Sequence, residues 1–258
     1  LRAQERWNDA LAQAREVLVR EPGNARALLV VARIYRAREA YDIAKLVLQK
    51  ALALVPEDDA RLRAEVYDDE GLLELARGDT QAAFEAFRQA IAADARYAPA
   101  QMNMGSVLLH AGDFAGARAQ YEAVLRADPS SLEAKVALAI ARRGQGDHRV
   151  ARRLYREVLD EAPNHPDALL DYAILRADFL DEREDSVATF EAFLAAAPRR
   201  HPGRELAERY LVEIRSMADA PAADEAWAEE GGDEEWVEEG QDEEWEDDGG
   251  DEEWEDVE

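Results

Sequence analysis

The chain repeats itself with a period of 34 residues, and few folds tolerate that. Small residues fall at Ala32, Gly71, Gly105, Ala139 and Ala173, spaced 39, 34, 34 and 34. A second small column is Ala10, Ala44, Ala83, Ala117 and Ala151, spaced 34, 39, 34 and 34. Larger side chains follow it at Leu48, Phe87, Tyr121 and Tyr155, with Phe190 one residue late. Pro22, Pro56, Pro129, Pro163 and Pro198 close the copies, with Ala95 in the one gap, and Gly78-Asp79, Gly112-Asp113 and Gly146-Asp147 recur as turns. The body is rich in Ala, Leu, Arg and Glu, which are strong helix formers. Each copy therefore reads as two amphipathic helices joined by a short turn. In the clearest copy "APAQMNMGSVLLHAG" is the first helix, "DF" begins the turn into the second, and "AGARAQYEAVLRADP" is the second helix with its stop. The small residues let helices approach closely, and the large one fills the gap between neighbouring copies. The proline cannot continue the helix and ends the unit.

These columns resemble the tetratricopeptide repeat (TPR) family over residues 1 to about 218. The resemblance implies an all-α fold, a right-handed superhelix of helix-turn-helix repeats. The units are 25–58, 64–97, 98–131, 132–165 and 166–199. Residues 1–24 match only a second helix, so the first helix of that unit is absent or was cut away. Residues 201–218 match the solvating cap helix that such arrays need. Two departures stand out. Five extra residues near "DDARL" lengthen the helix or loop before the second full unit, and "DFLDERED" replaces the Gly-Asp turn of the fifth. The bulky aromatic usual early in the first helix is replaced by Leu28, Tyr67, Met102, Lys135 and Leu169.

The composition narrows function. The net charge is −27, but residues 219–258 hold 22 Asp and Glu with no Lys or Arg. The remaining residues carry 58 − 22 = 36 acids against 31 bases, a net of −5. An ordinary body thus precedes a polyanion, which argues against nucleic acid as a partner. The chain has no cysteine, which removes disulfides, thiolate metal sites and Cys nucleophiles. His110, His148, His165 and His201 lie near turns and unit boundaries. None is paired with another at metal-ligand spacing. "DDGGDEE" lacks the spacing of a Ca²⁺ loop. No phosphate-cradling glycine loop or Gly-x-Ser-x-Gly occurs. The expectation is a non-enzyme without metal or cofactor. No apolar run reaches the roughly 18 residues of a membrane span. No signal peptide is visible, and any that stood upstream of Leu1 would have been lost. The compartment stays open: bacterial cytoplasm, or periplasm and envelope if a signal was removed, the bacterial source being read from the Ala/Arg-rich, Cys-free composition.

In TPR arrays the first helices line a concave, peptide-binding face. Carried onto this sequence, that face comprises Arg26, Leu29, Arg33 and Arg36; then Leu72 and Leu75, with Glu65 and Asp68; then Met102, Asn103, Ser106 and Leu109; then Val136, Ile140 and Arg143; then Leu170 and Ile174, with Ala177. The groove would be basic at its N-terminal end and apolar further along. Any single position also suits packing against the adjacent unit. The Lys, Asn and Arg clamp of chaperone-binding TPR domains is not matched, since Leu29, Asp68 and Met102 occupy comparable surface. Arg149, Arg152, Arg153 and Arg156 share one flank of the fourth unit's second helix, either as a solvated face balanced by Glu157 and Asp160 or as a docking patch for an acidic segment.

The polyanion carries Trp227, Trp236, Trp245 and Trp254, each nine residues after the last. Low hydrophobicity and extreme charge predict a disordered tail. A solubilising role explains the acids but not the tryptophans, which suit anchors flanked by steering charge. "EEWED" is similar to the tryptophan-acidic peptides that bind the TPR groove of kinesin light chains, without the Leu or Met that often precedes the core. The tail is expected to recruit a separate basic partner, to occupy this chain's groove or a neighbour's, or to act only as a spacer. The whole reads as a non-catalytic scaffold in a multiprotein assembly. A co-chaperone or holdase with a solubilising tail is the alternative, and a bacterial envelope motility or pilus-assembly lipoprotein a further one.

Overall fold

The structure is a computed structural model and describes residues 2–218. The four tail tryptophans and the expected disorder of 219–258 lie outside the described residues. The chain divides into two units after Arg215, and the account below concerns the first. The described residues form α-helices with no strand: α1 (Arg2–Arg20), α2 (Ala25–Ala37), α3 (Tyr41–Ala53), α4 (Ala60–Arg77), α5 (Thr80–Ala93), α6 (Ala98–His110), α7 (Phe114–Ala127), α8 (Leu132–Gly144), α9 (His148–Glu161), α10 (Pro166–Phe179), α11 (Arg183–Ala196) and α12 (Arg204–Ala218). Pairs α2–α3, α4–α5, α6–α7, α8–α9 and α10–α11 pack within themselves and then on the next pair, while α2, α4, α6, α8 and α10 also meet one another along one face. No described helix is long and apolar enough to cross a membrane.

The turn between the helices of a unit follows from two residues. Gly78, Gly112 and Gly146 take left-handed φ values of 85°, 78° and 81°. A Cβ strains that conformation, so glycine ends the first helix there. The next residue caps the second helix: Asp79 accepts from the Ala82 amide and Asp113 from the Gly116 amide, at 2.9 and 2.8 Å. Asp147 is engaged instead by Arg142 at 3.0 Å. The two units without Gly keep the same backbone, since Glu39 and Asp181 stand at φ 61° and 55°. The "DFLDERED" turn is one residue longer: the Glu182 amide reaches back to the Arg176 carbonyl over six residues, where Asp79, Asp113 and Asp147 reach back over five. It is held by Arg176, whose Nε donates to Glu182 at 2.9 Å and whose Nη1 donates to the Asp185 carbonyl at 2.8 Å. A Cβ at Gly112 meets nothing within 4 Å. Gly112→Ala thus isolates the conformational cost, about 1 kcal/mol, readable as a small shift in a urea midpoint.

The five extra residues go mainly into helix: α4 spans 18 residues where α2, α6 and α8 span 13. The core is the small-against-large pattern repeated. Phe87, Tyr121, Tyr155 and Phe190 are all at most 2% exposed, opposite Gly71, Gly105, Ala139 and Ala173. Lys135 does not disrupt the fourth unit. Its amine reaches Glu161 at 3.7 Å while its stem lies against the array, so only 18% of the side chain is exposed. At the C-terminal end Ala207, Leu211 and Ile214 of α12 bury against Phe190 and Phe193. Arg204 ties the start of α12 to the Leu194 and Ala197 carbonyls at 2.7 and 3.1 Å.

Candidate functional site: the face of the first helices

The first helices present two aligned columns to one another. Asp69, Asn103, Ala137 and Asp171 form one column at strict 34-residue spacing. Arg36, Leu75, Leu109 and Arg143 form another, spaced 39, 34 and 34. In the fold the second column of one unit meets the first column of the next, so the residue types decide whether each gap closes.

The outer gaps close by charge. Between α2 and α4, Arg33 Nε donates to Asp69 at 2.6 Å and Arg36 stands 3.6 Å away. Between α8 and α10, Arg143 pairs with the Asp171 carboxylate at 3.4 Å and also donates to its carbonyl at 3.3 Å. Burial pushes the Asp69 and Asp171 carboxyls upward, and the arginines oppose that shift. Arg26 is likewise engaged, by Asp59 at 3.0 Å. The basic character of the groove's N-terminal end is therefore partly offset: Arg26 is engaged by Asp59, while Arg33 and Arg36 share Asp69.

The inner gaps differ. Asn103 Nδ2 donates to Asp68 Oδ1 at 2.8 Å, tying α6 to α4. Burial, with Asp69 adding repulsion, pushes the Asp68 carboxyl up to about 6 against the pull of Asn103. Leu72 and Leu75 flank this tie, half-buried and 37% exposed respectively. Between α6 and α8 the two columns offer Leu109 and Ala137, with no charge to close the gap. A hollow of about 560 Å³ remains, lined by Met102, Asn103, Ser106, Leu109, His110, Tyr121, Ala137 and Ile140. Burial pushes the Tyr121 phenol up to about 12, so it stays a neutral wall.

Of the residues expected from sequence, Met102, Asn103, Ser106, Leu109 and Ile140 are brought together at this hollow. Leu29 and Val136 are not on open surface. They are 2% and 6% exposed, packed into the core of their own units. Leu170 and Ile174 lie half-buried against the packed cluster of α10, α11 and α12. The open part of the groove thus lies at its centre, because packing between helices buries some positions of a column that spacing alone cannot tell apart. His110 was expected near a turn and Tyr121 in the core column, so neither they nor Ala137 were expected at the groove, although the Asp–Arg matching at both ends of two columns was available as a signal. On the outer face of α9, Arg152 pairs with Glu182 at 2.8 Å and Arg153 with Glu157 at 3.5 Å. Arg149 and Arg156 are exposed there without a carboxylate partner among the described residues, so half of that patch is engaged. No group of three or more His, Cys, Asp or Glu among the described residues is placed to hold a metal ion.

Comparison with known proteins agrees with this geometry. A solved structure of MamA is 26% identical, covering 62% of this chain and 90% of that one, with a TM-score of 0.50. YrrB, described as a TPR protein with an unusual peptide-binding site, is 16% identical over 79% of this chain and 97% of that one, with a TM-score of 0.57. PilF of Pseudomonas aeruginosa is 18% identical over 80% and 98%, with a TM-score of 0.59. At those identities the last two show the fold alone. No curated protein sequence matches the chain. The sequence model of the tetratricopeptide repeat matches residues 1–59, 69–131 and 136–204, and with the repeated small-against-large core this establishes that the chain belongs to the tetratricopeptide repeat family.

Proposed function

We propose that the chain is a non-catalytic scaffold that holds an extended partner peptide on the face of its first helices, with the α6–α8 hollow as the anchor point. The observation that carries this reading is the hollow itself. It is concave, walled by Met102, Leu109, Tyr121, Ala137 and Ile140, and edged by the polar groups of Asn103, Ser106 and His110. That combination suits one bulky apolar side chain with peptide groups held at its rim. The fold likeness to YrrB, whose description includes a peptide-binding site, supports the same reading.

Peptide selection by phage display on the full chain tests it. Selected peptides should share one bulky uncharged residue. Ile140→Glu should weaken them at least roughly tenfold, about 1.4 kcal/mol, while Leu46→Glu on the outer face leaves them unchanged. Selection without sequence preference would support the holdase reading instead. A place in an envelope motility or pilus machine remains a further reading, supported only by the fold likeness to PilF.

The acid–Trp repeat is assigned to recruiting a separate basic partner. What favours that over self-occupation is that Arg26, Arg33, Arg36 and Arg143 are already paired within the body. An acidic segment gains less from cations already engaged by carboxylates, even though Arg33 and Arg36 share one. Titrating residues 1–218 into a peptide of residues 219–258 should leave tryptophan emission unshifted. A saturable, salt-sensitive blue shift would assign the tail to the groove.

A further inference from the structure

The α6–α8 hollow is backed by a tyrosine where the fold asks only for a ring. Phe87, Tyr121, Tyr155 and Phe190 fill one column, each at most 2% exposed. Phenylalanine serves in two of those units, so the packing itself does not require a hydroxyl. The other residues that line the hollow stand on α6 and α8, while Tyr121 comes from α7 behind them.

The Tyr121 hydroxyl has no hydrogen-bond partner among the described residues. Nor is it sealed in: of the two phenols in the column, only the Tyr155 hydroxyl is fully enclosed. The residues in front of each ring account for the difference. Arg143 and Asp171 pair across the gap that fronts Tyr155, whereas Leu109 and Ala137, in register with them, leave the gap at Tyr121 open. Burial pushes the Tyr121 phenol up to about 12, so its proton is present to be donated. Solvent can meet that proton in the free hollow. An occupant that excludes solvent has to bring an acceptor, or it leaves a buried donor unmet.

That requirement sorts the bulky uncharged side chains. Leucine and phenylalanine cover the walls but bring no acceptor, and the methionine sulfur accepts only weakly. The indole N–H of tryptophan donates and cannot accept. Asparagine and glutamine accept but offer little apolar surface to Met102, Leu109 and Ile140. Tyrosine has a ring for the walls and an oxygen that accepts. Its own proton has acceptors close by in the Ser106 hydroxyl and in Asn103, whose Nδ2 is given to Asp68 and whose carbonyl oxygen has no partner among the described residues.

We infer that the partner peptide anchors in this hollow through a tyrosine, whose hydroxyl oxygen accepts a hydrogen bond from the Tyr121 hydroxyl. That step rests on the peptide-binding reading of the hollow and adds the residue it selects and the group that selects it. It also keeps the hollow apart from the acid–Trp repeat, because an indole leaves the Tyr121 proton unmet.

A random peptide library displayed against the full chain supplies the probe, and tyrosine should recur at the anchor position. The strongest peptide is then synthesised twice, with tyrosine and with phenylalanine at that position. Both are titrated by calorimetry into the parent, Tyr121→Phe and Tyr155→Phe chains. The parent should bind the tyrosine form roughly tenfold tighter. Tyr121→Phe should bring the two forms within about twofold by weakening the tyrosine form. Phe87 and Phe190 show that the column accepts that ring, and a thermal melt establishes that each variant is folded. Tyr155→Phe should keep the preference, because the hydroxyl it removes is enclosed. Leucine, methionine, phenylalanine or tryptophan recurring as the anchor would overturn the inference and leave the scaffold reading standing. So would a tyrosine preference that survives Tyr121→Phe, or one lost equally in Tyr155→Phe. Failure to select any peptide would overturn both.

Discussion

Gly105→Val should destabilise the chain by about 3 kcal/mol, lowering the melting temperature by roughly 5–10 °C. A Cβ at Gly105 would lie 2.5 Å from a Tyr121 ring carbon and 2.6 Å from another. Tyr121 is 2% exposed, so its ring can yield only by shifting α7 or by moving into the hollow it walls, which gives up its packing. Alanine occupies the same column at Ala139, opposite the buried Tyr155, which shows that one methyl is accommodated where the ring is seated for it. Gly105→Ala should therefore cost less than Gly105→Val, and Tyr121→Leu should partly rescue the valine variant, as Leu48 already partners Ala32. Because units contact mainly their neighbours, hydrogen exchange should quicken first in α6 and α7. A valine variant that melts with the parent would mean that the close contact does not hold the third unit together. The same experiment separates two uses of glycine: Gly105 is required by a neighbour, Gly112 by its own backbone.

Asp68→Asn should raise stability at pH 7.5, by about 2 kcal/mol, an uncommon direction for a substitution at a buried position. The sign follows from linkage. Burial raises the Asp68 carboxyl in the fold to about 6 from an ordinary value of 3.8. A raised carboxylate contributes stability that is fully present below the unfolded value and lost as pH climbs through the folded one. Above pH 6 the parent carries that loss, and the asparagine variant does not. Asparagine keeps the side-chain carbonyl that accepts from Asn103, and it relieves the repulsion with Asp69. The advantage should shrink to about half by pH 5 and vanish below the ordinary carboxylate value, as urea titrations at each pH would show. An advantage independent of pH would assign the effect to packing rather than to charge. Since Asn103 also edges the hollow, the same variant tests whether the tie between α4 and α6 tunes peptide affinity.

Much of the fold can be read from the sequence because a repeat supplies its own alignment. The small and large columns, the Gly-Asp turns and the terminal prolines each follow from one backbone requirement, met several times over. The site is less legible. Met102, Ser106, Leu109 and Ile140 were identifiable as one stripe, but so were Leu29 and Val136, which the fold buries. Nor did the arginine-rich start of the groove reveal that Asp59 and Asp69, 33 residues or more from their partners, engage it.

What the sequence determined alone was therefore local and periodic: which residues share a helix face, where each helix ends, and that the units stack. Which gaps between first helices close was decided only by the tertiary structure. That outcome depends on how far one unit rotates against the next, and so on which column of a unit reaches which column of its neighbour. An arginine meeting an aspartate closes two of those gaps. The tie between Asn103 and Asp68 spans another, and a leucine facing an alanine leaves the one between α6 and α8 open.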